Sequence, residues 1–130
     1  ISICSKFQSS MTGCTYNLQH DVNCTSRNVI YLITCTKCQH QYVGQTNQNV
    51  SRRMNSHRFD INNVDMNPIS HVASHFGLSD SKCSMSDFSF LPIDVVHDNM
   101  DRLLKETYWI HKLKTMTPDG FNNKLLYSIK

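Results

Sequence analysis

Glutamate is nearly missing from this chain: of its ten acidic residues nine are aspartates, and Glu106 stands alone. Glycine (four) and proline (three) are also scarce, which excludes a collagen-like chain or a long Pro/Gly linker. No apolar run approaches the roughly 20 residues that cross a bilayer, and no secretory signal opens the sequence. There is no internal repeat and no low-complexity tract. Charge of one sign is not in great excess either. Thirteen Lys and Arg against ten acids give +3, which permits a nucleic-acid partner without demanding one.

What remains is enough for one ordinary domain of 130 residues with a single core. A hydrophobic content of 39% excludes compositional disorder. Because the first residue is isoleucine, the chain is expected to be a piece of a larger protein.

Six cysteines and seven histidines are many for this length. They suit disulfides in a secreted domain or metal in an intracellular one. Cys35 and Cys38 form a Cys-x-x-Cys between β-branched residues, the spacing of a zinc knuckle. Four ligands close a structural zinc site, and the downstream candidates are His71, His75 and Cys83. His71 and His75 lie four apart, as on one helix face; spacing does not choose among the three. Upstream, residues 1–27 are polar and aperiodic. They read as an arm or linker, or as a second zinc knuckle of Cys4, Cys14 and Cys24 with His20.

The elements follow from pattern. Residues 28–34 form a β-branched apolar run expected as a strand buried on both faces. Residues 41–45 form a second strand. A symmetric hairpin about Thr36-Lys37 would set Cys35 opposite Cys38 and Tyr31 opposite Tyr42, both tyrosines on one face. A helix is expected over 49–59, capped by Thr46 or Asn47, with Val50, Met54 and His57 on one stripe and Arg53 one turn before His57. Asn62, Asn63 and Asp65 belong to a polar loop, and Asn67-Pro68 opens a short helix that Gly77 ends. Residues 87–96 form a third strand, whose Pro92 implies an edge or a bulge. Asp98 or Asn99 then caps a helix to about residue 114. On it Leu103, Glu106, Ile110 and Leu113 share a stripe, so the lone glutamate stands among core-facing positions and needs a partner or a cleft. Pro118-Asp119-Gly120 turns the chain.

Phosphodiester hydrolysis needs a base for water, cations for the pentacovalent phosphate and help for the leaving oxygen. Tyrosine serves as base when a cation lowers its pKa. Arginine grips phosphate in a fork, and a carboxylate on an apolar helix face holds Mg²⁺. Tyr31, Tyr42, Arg53, His57 and Glu106 could supply these parts.

Val29-Ile30-Tyr31, Tyr42-Val43-Gly44, Arg53, His57, Glu106 and a closing asparagine resemble, in order and spacing, the GIY-YIG nuclease superfamily over about residues 28–123. A narrower resemblance is to the endonuclease domain of Penelope-like retroelements. It rests on the Cys-x-x-Cys between the two motifs, Tyr42-Val43-Gly44-Gln45-Thr46, His75-Phe76, Asp87-Phe88-Ser89-Phe90, Trp109-Ile110 with Leu113, and Pro118-Asp119-Gly120-Phe121-Asn122.

The resemblance implies an α/β (α+β) fold: a small three-stranded antiparallel sheet flanked by helices, in a catalytic domain spanning 28–124, with a tail over 125–130. It implies Tyr31 as general base or orienter of the attacking water. Tyr42 would position water or phosphate, Arg53 would stabilise phosphate charge, and His57 would be a proton shuttle or phosphate contact. Glu106 would hold Mg²⁺ or Mn²⁺, and Asn122, beside Asn123, would brace the site. It maps a structural zinc to Cys35, Cys38, His75 and Cys83, the last in place of the family's histidine, with His71 as alternative. The implied activity is a DNA endonuclease that nicks a target to prime reverse transcription. The implied partners are DNA, the element RNA and a reverse transcriptase region of the same polypeptide, in the nucleus and without a membrane. The alternatives are a catalytically silent zinc-stabilised nucleic-acid-binding module and a small disulfide-bonded secreted domain.

Overall fold

A computed structural model describes residues 6–18, 22–64, 71–78 and 82–122. In chain order the elements are β1 (Lys6–Gln8), β2 (Thr15–Asn17), β3 (Val29–Cys35), β4 (Gln41–Thr46), α1 (Val50–Asn62), α2 (His71–Gly77), a 3-10 turn (Met85–Asp87), β5 (Phe88–Val95) and α3 (Asn99–Leu113). The class is α+β. Three antiparallel strands in the order β4-β3-β5 form the sheet, with helices packed on it. No described helix is long and apolar enough to cross a membrane.

The apolar run at β3 is central because both its faces are covered. Val29, Tyr31, Ile33 and Cys35 pack with Val50, Met54 and Ile61 of α1 and with Val72, Ala73 and Phe76 of α2. Ile30 and Leu32, with Val43 and Ile93, meet Ile110 and Leu113 of α3 and Phe7 of β1. Each fully buried Ile or Val here contributes about 1.5–3 kcal/mol, so this seven-residue strand anchors both layers.

Pro92 occupies both positions its type allows. β5 is an edge strand, and its register with β3 shifts between Ile30 and Tyr31, so that Asp94 faces Ile30 while Pro92 faces Tyr31. Asp98 caps α3, accepting from the Asp101 amide, and Lys114 closes it in the left-handed region at φ 55°.

Two expectations are corrected. The hairpin is not symmetric about Thr36-Lys37: Tyr31 faces Gly44 and Ile33 faces Tyr42. Cys35 donates its amide to His40 O at 2.9 Å rather than meeting Cys38. The turn gains length because Gln39 adopts a left-handed φ of 70°. A slip of two residues preserves the face of every side chain, so both tyrosines still share one side, ring centroids 6.3 Å apart. Second, Asn49 rather than Thr46 or Asn47 caps α1, its side chain accepting from the Arg52 amide, and the helix runs to Asn62, a residue expected in the loop. The Asn67-Pro68 start expected for α2, Asp65 and Asn123 lie outside the described residues.

Within the segment expected as an arm or linker, β1 and β2 pair as a hairpin. Phe7 sits edge-on to Trp109 at 5.3 Å, and Ser9 Oγ donates to Leu113 O at 2.6 Å. The hairpin thus covers the C-terminal half of α3.

Candidate active site and metal centre

Tyr31 is completely buried, its ring stacked on Phe90 at 4.6 Å. The position opposite it has no side chain: a Cβ on Gly44 would lie 2.4 Å from Tyr31 Cζ and Oη. The phenol occupies the space that this glycine leaves. Arg53 and His57, one turn apart on α1, meet it there. Arg53 Nε donates to Tyr31 Oη at 3.0 Å, and Oη lies 2.7 Å from His57 Nε2. A guanidinium only donates, so Tyr31 accepts from Arg53, and the same oxygen shares a second hydrogen bond with His57 Nε2.

Burial, and secondarily Arg53, lowers the His57 pKa to about 3, so the imidazole is a neutral acceptor at working pH. Burial raises the Tyr31 pKa; the Tyr42 phenol adds to this and Arg53 opposes it. Burial and then Glu106 raise that of Tyr42, again against Arg53. Burial works against the charge on Arg53, yet the Tyr31 phenol, helped by Tyr42 and Asp60, holds its pKa above the usual value. Glu106 comes from α3, is 5% exposed, and has its pKa raised by burial to about 7 despite Arg53. The two phenols, one guanidinium, one imidazole and the lone glutamate are therefore electrostatic neighbours. Leu103 of the expected stripe is only half-buried, and its neighbour Arg102 is buried instead.

Asn122 clamps this arrangement. Its Oδ1 accepts from the Val43 amide at 2.9 Å and from Thr115 Oγ1 at 2.7 Å, and its Nδ2 donates to Val43 O at 3.0 Å. Both sides of the residue next to Tyr42 are held by one side chain.

At the far end of the hairpin, ligand atoms of Cys35, Cys38, His75 and Cys83 lie within 4.8 Å of one another. Cys38 Sγ is 3.3 Å from His75 Nε2. Zinc–sulfur bonds of about 2.3 Å set tetrahedral edges of about 3.8 Å, so these four fit a tetrahedral ion. Burial, then the neighbouring sulfurs of Cys35 and Cys38, pushes the Cys83 thiol up to about 11, a crowding that a bound cation relieves. Cys35 ends β3, Cys38 lies in the turn, His75 is on α2 and Cys83 precedes the 3-10 turn. Lys37 Nζ donates to Lys82 O at 2.6 Å and ties turn to loop. The cluster could hold a metal such as zinc.

His71, the alternative ligand, is exposed and outside the cluster. Cys14 and Cys24 are exposed and join no cluster among the described residues, and Cys4 and His20 lie outside these. Sequence reasoning missed His40, whose Nδ1 is 3.3 Å from Cys38 Sγ. The only signal for it is its place two residues after Cys38.

The model of the GIY-YIG catalytic domain matches residues 27–119. The chain belongs to the GIY-YIG catalytic domain family. No curated protein and no solved structure matches it. Membership makes this a nuclease domain, and Tyr31 and Tyr42, the pair that shares one face of the sheet, lie within the matched residues. GIY-YIG nucleases are metal-dependent. Glu106 suits a hard cation: its carboxylate accepts no hydrogen bond from the described residues and is not sealed from solvent.

Proposed function

We propose that this GIY-YIG domain is a metal-dependent DNA endonuclease that nicks its target. The observation that carries the proposal is the Tyr31 hydroxyl held between Arg53 Nε and His57 Nε2 beside Glu106. Arg53 is the phosphate-binding cation. Tyr42, partly buried, contacts the attacking water or the phosphate, and the proton that the water loses is relayed through buried Tyr31, whose hydroxyl takes it up as it gives its own to His57. Burial and Arg53 now oppose protonation of His57, and a phosphate arriving at Arg53 offsets that opposition. Glu106 would hold Mg²⁺ or Mn²⁺, which when bound supplies charge stabilisation to the phosphoryl oxygens. Asn122 braces the strand carrying Tyr42.

Zinc in the Cys35, Cys38, His75 and Cys83 set would be structural, fixing the hairpin that carries both tyrosines. The resemblance to Penelope-like endonuclease domains supports a narrower proposal: a retroelement polypeptide acting in the nucleus with a reverse transcriptase region and element RNA, its nick priming reverse transcription. Supercoiled plasmid is to be incubated with Mg²⁺ or Mn²⁺ and wild type, Glu106→Ala or Arg53→Ala. Only wild type is expected to nick, leaving a 3′-hydroxyl that a polymerase extends. Equal cutting by all three refutes the site, and a 3′-phosphate end refutes the priming role.

A further inference from the structure

At the end of β4, residues 45–48, Arg53 of α1 and Asn99, Arg102 and Leu103 of α3 line a cleft of about 430 Å³. None of these eight residues is acidic, and two are arginines. Arg102 is 3% exposed. Its Nε donates to Gln45 Oε1 at 2.8 Å and its Nη2 to Asn99 Oδ1 at 2.6 Å. Its Nη1 donates to Val96 O at 3.0 Å, to Asn28 Oδ1 at 3.3 Å and to His97 O at 3.4 Å. Every acceptor is neutral, and no carboxylate pairs with Arg102 among the described residues.

A buried charge without a counter-charge is costly, so its placement at a cleft wall calls for an anion. The bonds also have a consequence for their acceptors. Because the guanidinium only donates, Gln45 and Asn99 must turn their amide oxygens to it, which leaves each NH₂ as the opposite, donating end. Neither NH₂ makes a hydrogen bond among the described residues. The cleft wall is thus a set of donors around an unbalanced positive charge, continuous with Arg53.

We propose that this cleft seats a second phosphodiester of the bound strand, next to the one held at Arg53. Gln45 and Asn99 are its direct donors and Arg102 is a positioning residue. This rests on the nuclease reading for the identity of the strand, but not on cleavage.

Gln45→Glu and Asn99→Asp test it. Each is isosteric, places a carboxylate against Arg102 and so offsets that charge. An acid in the first turn of α3 also suits the helix dipole. Thr15→Glu on exposed β2 makes the same charge change elsewhere. Duplex DNA binding is measured by fluorescence anisotropy across a salt series with magnesium omitted. Both cleft variants should melt within a few degrees of wild type. Their Kd should rise about tenfold, the worth of one charge-assisted hydrogen bond, and the salt slope should fall by about one. In plasmid nicking KM should rise with kcat nearly unchanged. Wild-type binding by both cleft variants, or an equal loss in Thr15→Glu, overturns the proposal. A wild-type protein that binds through the cleft without nicking overturns the nuclease reading alone.

Discussion

The Tyr31 hydroxyl lies 2.7 Å from Nε2 of His57, inside a pocket where neither residue is more than 8% exposed. The two come from different layers, one from the central strand and the other from α1. Arg53 supplies another bond to the same oxygen, so the phenol joins the guanidinium to the imidazole. The packed core and the proposed proton path therefore share one contact.

Tyr31→Phe separates those roles. The ring stays on Phe90, but Arg53 Nε and His57 Nε2 lose their shared partner. The expected cost is about 1–3 kcal/mol of stability, the penalty for leaving a buried polar group unsatisfied. Nicking should fall by at least about 10²-fold, in the range of lost acid–base assistance. Thermal melts and plasmid nicking read the two effects, and full nicking activity in the variant would exclude a proton role for this hydroxyl.

Glu106 gives a pH signature. Its folded pKa of about 7 exceeds its ordinary 4.5, so the folded state binds more protons than the unfolded between these values. Stability contributed by the protonated group is present below pH 4.5 and is lost as pH rises through 7. Glu106→Gln removes that slope. The variant should match wild type near pH 4.5 and exceed it at pH 8 by on the order of 2–3 kcal/mol. Nicking by wild type should decline below about pH 7, with a midpoint that moves down as Mg²⁺ is raised, since metal and proton compete for one carboxylate. A stability difference independent of pH would show that Glu106 is not held protonated.

Much of the sheet was legible because β3 is apolar without interruption and Pro92 names its own edge position. The shared face of the tyrosines was also legible, since a period of two survives a two-residue slip. The register itself was not, because nothing in Cys35-Thr36-Lys37-Cys38 announces that Gln39, not a glycine, will take a left-handed conformation. Arg53 and His57 were legible as a helical pair, and His57 as part of the stripe with Val50 and Met54, but the partial burial of Arg53 against Tyr31 was not, since a helical Arg is usually solvated. Arg102 went unread for a related reason. A stripe counted in apolar residues passed over the arginine one turn before Glu106, although both are buried.

The Cys/His cluster that could hold a metal joins residue 35 to residue 83 across the fold. Structural zinc contributes its binding energy to folding, so Cys35→Ser should lose zinc and melt markedly lower, and a chelator should do the same to wild type. Cys14→Ser and Cys24→Ser should leave the zinc content unchanged, as both are exposed and join no cluster among the described residues. Metal analysis with thermal melts decides both points. A Cys35→Ser protein that melts like wild type removes the clamp, and a drop in zinc with Cys24→Ser restores the second knuckle.

Gly44→Ala is the smallest change that should disable the site. The added methyl would fall 2.4 Å from Tyr31 Cζ and Oη, and the ring has no retreat, since Phe90 stacks on it at 4.6 Å. Overpacking of this kind costs about 1–3 kcal/mol. The displaced hydroxyl leaves the line between Arg53 and His57, so nicking should fall about as far as in Tyr31→Phe. The Cys/His cluster lies at the other end of the hairpin, and the zinc proposed for it should stay bound. Joining the two changes should add little further loss of activity, because both act on one oxygen. Independent, multiplying losses would mean that Gly44 is required for something other than room for the phenol.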